Sequence, residues 1–218
     1  YGVGELFLAP IQLVLGRLAV AYYDKGAGEG LSVEEYCQQE LAYLTGSTKK
    51  PVEGPVDVIL YGFGRIGRLM ARILIGKTDG GDSLRLRAIV VRKGGADDDL
   101  LKRASLLRRD SVHGVFKGTI RVDEERQSFI ANGNEVKVIY ADAPEDIDYT
   151  QYGIQSGIVV DNTGVWRDKA GLSRHLAAKG VAKVILTAPG KGDIKNIVAG
   201  INESAIEDTD TVISAASC

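Results

Sequence analysis

The chain has 218 residues, 44% of them hydrophobic and 26% charged, with 27 basic and 29 acidic side chains and a net charge of −2. That balance excludes the global basic footprint of a nucleic-acid binder, and the length suits one large domain or two small ones. Two cysteines, Cys37 and Cys218, are too few for a disulfide framework and read as free thiols in a reducing compartment, so a cytoplasmic location is expected.

The first apolar run, "GELFLAPIQLVLGRLAVAYYD", is interrupted by Pro10 and Arg17 and closed by Asp24. It falls short of the roughly twenty apolar residues a membrane span needs, and Glu5 with no basic stretch before it argues against a targeting peptide. Leu8, Ile11, Leu15 and Leu18 recur at helical spacing, as in a helix packed against a partner surface. A glycine-rich loop follows. Ser32 and Glu35, three apart, then form a capping box that opens a second helix through "VEEYCQQELAYL". The organisation expected is a helical N-terminal segment at 1–45, a linker at 46–55 carrying two prolines, and a second domain at 56–218.

From residue 56 the character changes. "VDVILYG" is an apolar strand ending on glycine, "RIGRLMARILIG" has helical spacing, and "LRLRAIVV" is a second strand. "ADDDLLKRASLLRRD" is a helix with an acidic first turn and a basic last turn, matching the helix dipole; its local basic patch is too small to carry a nucleic-acid role. "GTIRV", "SFIANG" and "NEVKVIY" read as a small antiparallel excursion. "GIVVD" is a third parallel-type strand, and "RDKAGLSRHLAAKG" is a helix capped by Gly180, with His175 on its surface. "AKVILTA" and "TVISAAS" are further buried strands. Alternating strands and helices predict an α/β fold of the Rossmann type: a doubly wound, mainly parallel sheet with a small antiparallel excursion, preceded by a helical N-terminal segment.

Gly62-x-Gly64-x-x-Gly67 directly follows the first of these strands and opens a helix, the context a dinucleotide site requires. Gly62 permits the tight turn, Gly64 lets the backbone approach a pyrophosphate, and Gly67 lets helix and strand pack closely. The fingerprint then asks for an acid at the end of the next strand, to hold the ribose 2′-hydroxyl. Here the strand ends in Arg92 and Lys93. Two cations there favour or tolerate a 2′-phosphate, so the cofactor is NAD or NADP, with NADP tolerance expected, although Asp97, Asp98 and Asp99 lie close by. No metal site is expected.

Together "YGFGRIGRLMAR", "RRDSVHGVFKGTI", "VVDNTGVWRDKAGLSRHLAAKGVAKVILTAPGKG" and "ISAASC" resemble the NAD-binding half of phosphorylating glyceraldehyde-3-phosphate dehydrogenase, in order and nearly in spacing, from about Val56 to Cys218. The first 55 residues look like the end of the N-terminal extension of a longer bacterial form. The resemblance implies that Arg65 and Ile66 meet the pyrophosphate through their backbone. It implies that Thr163, Gly164 and Thr187 line the ribose and nicotinamide side, and that Ser217 and Cys218 meet the substrate. Cys218 would attack an aldehyde, hydride would pass to the cofactor, and inorganic phosphate would release the thioester as an acyl phosphate.

Three positions depart from the family pattern. Lys93 stands where a ribose-binding aspartate is usual, Asp142 replaces an arginine beside the adenine, and Ala215 replaces an asparagine near the nicotinamide. His113, in "DSVHG", matches a structural histidine and not the base. The partners implied are a phosphorylated aldehyde and inorganic phosphate, with no nucleic acid and no membrane; the intact protein is expected to be a homo-oligomer, a tetramer. Erythrose-4-phosphate dehydrogenase and a non-catalytic dinucleotide-binding protein stay open as alternatives.

Because the implied histidine base and phosphate-site residues lie beyond Cys218, the 218-residue chain alone is expected to be inactive and to bind dinucleotides weakly at best. An aldehyde-dependent rise in NADH or NADPH from the purified chain would overturn that expectation.

Overall fold

The computed structural model describes residues 19–26, 30–40, 55–78, 84–94 and 98–215. The helix expected from Leu8 to Leu18, nearly all of the linker, and Ser217 with Cys218 lie outside the described residues. The N-terminal helical segment and the body from Val56 onward form separate compact units.

In the N-terminal unit, α1 spans Val33–Glu40. The expected capping box is present and reciprocal. The Ser32 N–H donates to Glu35 Oε2 at 2.8 Å, and the Glu35 N–H donates back to Ser32 Oγ at 3.2 Å. The Ser32 N–H and the Ser32 hydroxyl, both donating to Glu35 Oε2, hold the Glu35 carboxyl below the usual carboxylate range. Tyr36 and Cys37 are buried, and the Tyr22 ring meets Tyr36 edge-on at 5.6 Å.

The body is built around a nine-stranded sheet. Its strands, in chain order, begin with β1 (Val56–Tyr61) and β2 (Leu84–Val91). Between them runs α2 (Arg65–Thr78), and after β2 comes α3 (Asp99–Arg108). A two-residue pair, β3 (Arg109–Asp110) and β4 (Gly114–Val115), stands apart. Then follow β5 (Ile120–Asp123), β6 (Ser128–Ala131), β7 (Asn134–Tyr140) and β8 (Gly157–Asp161). The helix α4 (Lys169–Ser173) leads to β9 (Val181–Leu186), β10 (Lys195–Ile197) and β11 (Val212–Ala215). The order across the sheet is β10-β11-β9-β8-β1-β2-β7-β6-β5. Pairings are parallel from β10 through β7, and β5, β6 and β7 pair antiparallel, as the three short stretches predicted.

Both faces of the central strands are covered, which is why they read as unbroken apolar runs. Val58 and Leu60 point to one side, with Ala71, Leu74 and Ile75 of α2 and Leu100, Ala104 and Leu107 of α3. Ile59 and Tyr61 point to the other, with Ile147, Tyr149, Ile154 and Ala178. A bulge in β2 keeps this alternation in phase: Val58 pairs with Leu86 but Ile59 pairs with Ala88, leaving Arg87 as the extra residue. Among the described residues no helix is long and apolar enough to cross a membrane.

The expected helix through Gly180 is shorter than its sequence pattern. Asp168 caps α4, accepting the Gly171 N–H at 2.8 Å, and the chain tightens to a 3₁₀ turn over Arg174–Ala177. Ala178 is already extended. Gly180, at φ +91°, therefore turns the chain into β9 instead of capping the helix, and its carbonyl accepts the Gly157 N–H at 2.7 Å. The sequence reading missed β10, because "KNI" carries no apolar run and becomes a strand only through its pairing with β11.

Phe129 has no exposed surface and lies 6.2 Å, ring to ring, from Phe63. Phe129→Ala is expected to lower stability by about 3–5 kcal/mol, measured by denaturant unfolding; a loss below about 1 kcal/mol would contradict this account of the core.

Candidate functional site

The sheet reverses its winding direction at β1, which has β2 on one side and β8 on the other. Ligands of open α/β sheets bind outside the carboxyl ends of the strands at such a point. A cleft of about 570 Å³ opens there. Its walls are Tyr61–Gly64 after β1, Val90–Arg92 at the end of β2, Arg103 from α3, Asp142 after β7, and the segment Asn162–Trp166 after β8, with the exception of Gly164.

The turn between β1 and α2 explains its glycines. Gly62 sits at φ +90° and donates its N–H to the Val90 carbonyl at 2.9 Å. A Cβ there would lie 2.8 Å from Thr163 Cγ2. At Gly67, in the first turn of α2, a Cβ would strike the Gly62 carbonyl oxygen. Gly64 is different: a Cβ there would meet no protein atom within 4 Å, so it would occupy the cleft. The first N–H groups of α2 have no helical partners, a ready-made anion site.

On the other wall, Asp161 ends β8 with no exposed surface. The Thr163 N–H and hydroxyl both donate to its Oδ1 at 2.7 Å. His175 Nε2 lies 3.0 Å from its Oδ2. Its backbone carbonyl accepts the N–H and hydroxyl of Thr187, both at 3.0 Å. One residue thus ties together the loops holding Thr163 and Thr187.

His175 is a correction to the sequence reading. It is buried, not on the helix surface, and its ring stands edge-on to Tyr61 at 4.6 Å and to Trp166 at 5.5 Å. The change from 3.6 to about 3.0 residues per turn at Arg174 alters the phase of the helix and turns this side chain inward. Burial, with Asp161 nearby, pushes the Tyr61 phenol up to about 12.

Of the residues singled out in the sequence, Gly62, Gly64, Arg92, Asp142 and Thr163 line the cleft. Arg65, Ile66 and Gly67 lie in the first turn of α2 behind the glycine turn, and Lys93, Gly164 and Thr187 lie outside the lining. His113 is exposed, and its ring and N–H both meet Asp110 Oδ1, at 3.0 and 2.9 Å. The bonds from His113 and Val112 hold the Asp110 carboxyl far below the usual range. Asn162, Trp166 and Arg103 were missed as site residues. Asn162 Oδ1 is buried without a hydrogen-bond partner on the cleft wall, an acceptor left for a ligand.

Residues 56–169 match the family model described as glyceraldehyde 3-phosphate dehydrogenase, NAD binding domain. Over 216 residues the chain is 56% identical to a glyceraldehyde-3-phosphate dehydrogenase-like protein of Pseudomonas aeruginosa strain UCBPP-PA14, covering 99% of this chain and 46% of that protein. It is 39% identical over 163 residues to a glyceraldehyde-3-phosphate dehydrogenase of Streptococcus pyogenes, covering 75% of this chain and 45% of that protein. Against the enzyme of that name from Lactococcus lactis subsp. lactis strain IL1403 it is 38% identical over 163 residues, covering 75% and 44%. The chain spans about half the length of the curated relatives it matches.

Removing the Asp161 carboxyl group would strand two Thr163 donors and the His175 ring in a dry site. Each buried, unsatisfied polar group costs about 1–3 kcal/mol, so Asp161→Ala is expected to lower unfolding free energy by about 3–5 kcal/mol and to speed hydrogen exchange at the Thr163 and Val165 amides. A variant as stable as the parent would contradict the role given to this residue.

Proposed function

Because the chain belongs to the glyceraldehyde-3-phosphate dehydrogenase family through its NAD-binding domain, we propose that the cleft at the head of β1 holds a nicotinamide dinucleotide for an aldehyde-oxidising enzyme. The observation that carries the proposal is the glycine turn at the point where the sheet reverses. The walls fit such a ligand. Gly64 leaves room for a close approach, the first turn of α2 offers the Arg65 and Ile66 N–H groups to a pyrophosphate, and Asn162 Oδ1 awaits a donor.

A bound nicotinamide supplies the hydride acceptor. This chain's own residues hold and orient it. Asp161 fixes Thr163 on the cleft wall and Thr187 at the end of β9. Val165 and Trp166 give the same side of the cleft an apolar surface. In the intact protein Cys218 is the nucleophile toward a phosphorylated aldehyde, beside Ser217, and inorganic phosphate releases the acyl group as an acyl phosphate. The intact protein is a homotetramer of the cytoplasm. Arg92 and Lys93, where the fingerprint expects an acid, support use of NADP as well as NAD.

Trp166 is the chain's one tryptophan and lines the cleft, so its emission reports occupancy. NADH or NADPH is expected to quench it. The Cβ of Gly64→Val meets no protein atom within 4 Å, so this variant should fold like the parent while narrowing the cleft; it is expected to weaken quenching at least about tenfold, or about 1.4 kcal/mol. Undiminished quenching in that variant would place the dinucleotide elsewhere. For the chemistry, the intact protein is expected to reduce the dinucleotide only when both aldehyde and phosphate are present, and Cys218→Ser should abolish that activity. Turnover that continues without phosphate would exclude the phosphorylating reaction.

A further inference from the structure

The β2 end of the cleft carries a cation that the sequence pattern did not single out. Arg103 comes from the middle of α3, yet it lines the cleft together with Arg92. Two bonds fix it there. Its Nε donates to Asp99 Oδ2 at 2.7 Å, one helical turn earlier, and its Nη2 donates to the Arg92 carbonyl at 3.0 Å. The side chain is only 19% exposed. The neighbouring acid does not face the ligand space: Asp99 is absent from the lining, and its Oδ1 lies where a Cβ on Gly94 would come within 2.6 Å. Lys93, the second cation expected from the sequence, is exposed and outside the lining. Asp142 is the one carboxylate on the cleft wall among the described residues.

We propose that Arg103, with Arg92, forms a subsite for the 2′-phosphate of an adenine dinucleotide, so that the cleft prefers 2′-phosphorylated dinucleotides, with Asp99 as the residue that positions Arg103. The inference rests on the reading of the cleft as a dinucleotide site. A guanidinium matches the geometry of a phosphate and binds it through more than one N–H. Holding it at two points before the ligand arrives reduces the rotamer entropy lost on binding. The Asp99 carboxylate is consumed by one edge of the guanidinium and does not repel a phosphate from inside the cleft. Among the described residues, a 2′-hydroxyl finds no acid in the cleft lining at the end of β2 to accept its hydrogen bond.

The test uses the intact protein and two pairs of probes: NADPH against NADH, and adenosine 2′,5′-bisphosphate against 5′-AMP, which carry no nicotinamide and so report binding alone. Calorimetry is expected to show the parent favouring the 2′-phosphorylated member of each pair. Charged hydrogen bonds of this kind are worth about 10- to 100-fold in affinity, so Arg103→Ala is expected to reduce both ratios at least about tenfold. Arg103→Gln, which keeps more of the side chain's packing, should do the same if the alanine variant is poorly folded. Asp99→Asn should reduce the ratios by less, Lys93→Ala by less than Arg103→Ala, and Lys102→Ala, an exposed cation of the same helix outside the cleft, should leave them unchanged. A parent that binds both members of each pair equally, or arginine variants that keep the parent's ratio, would overturn the 2′-phosphate subsite while leaving the dinucleotide cleft intact. A parent that binds none of the four probes would overturn the cleft reading and this subsite with it.

Discussion

A carboxyl group taken wholly out of water destabilises its surroundings unless donors compensate it. The Asp161 carboxyl group is compensated from two segments of chain, the loop after β8 and the 3₁₀ turn after α4, and its backbone carbonyl takes two further donors from a third, the loop after β9. The cost of stranding any of them is what fixes these segments relative to one another. Loops at the carboxyl edge of a parallel sheet have few backbone partners of their own. Here a single residue at the end of a strand gives two of them a common anchor, and the aromatic cluster of Tyr61, Trp166 and His175 closes over it.

The opposite wall is fixed by absence of side chains. Gly62 and Gly67 are required because Thr163 and the Gly62 carbonyl already occupy the space a Cβ would need. The two walls are coupled, since Thr163, positioned by Asp161, is also the neighbour that forbids a side chain at Gly62. A cleft whose two sides constrain each other in this way is formed before any ligand enters, which lowers the ordering cost of binding.

Much of this was legible in the chain. The glycine spacing, the strand before it and the helix after it act through backbone sterics that depend on residues adjacent in sequence. Three features were not legible, each for its own reason. Asp99 and Arg103 have the acid-then-base spacing of a solvated helical pair, and only the position of α3 beside the end of β2 brings the arginine to the cleft. His175 follows an apolar helical pattern whose phase is altered by a local tightening of the helix. Asn162 differs from its neighbours in "DNTG" only in being left with an unused acceptor, a property of packing and not of residue type.

The bulge at Arg87 has a consequence of a genetic kind. Leu86 and Ala88 are two apart, yet they face opposite sides of the sheet, because one residue between them is not paired. Loss of the Arg87 codon would keep the reading frame and close the bulge, leaving every residue from Ala88 to Val91 with its present partner. A codon gained after Ala88 would instead exchange the two faces of the rest of the strand. The apolar residues would find a core on either side and tolerate the exchange. Arg92, next after them, would not, so a residue lost at the start of this strand and one gained near its end differ in whether a positive charge still meets the cleft.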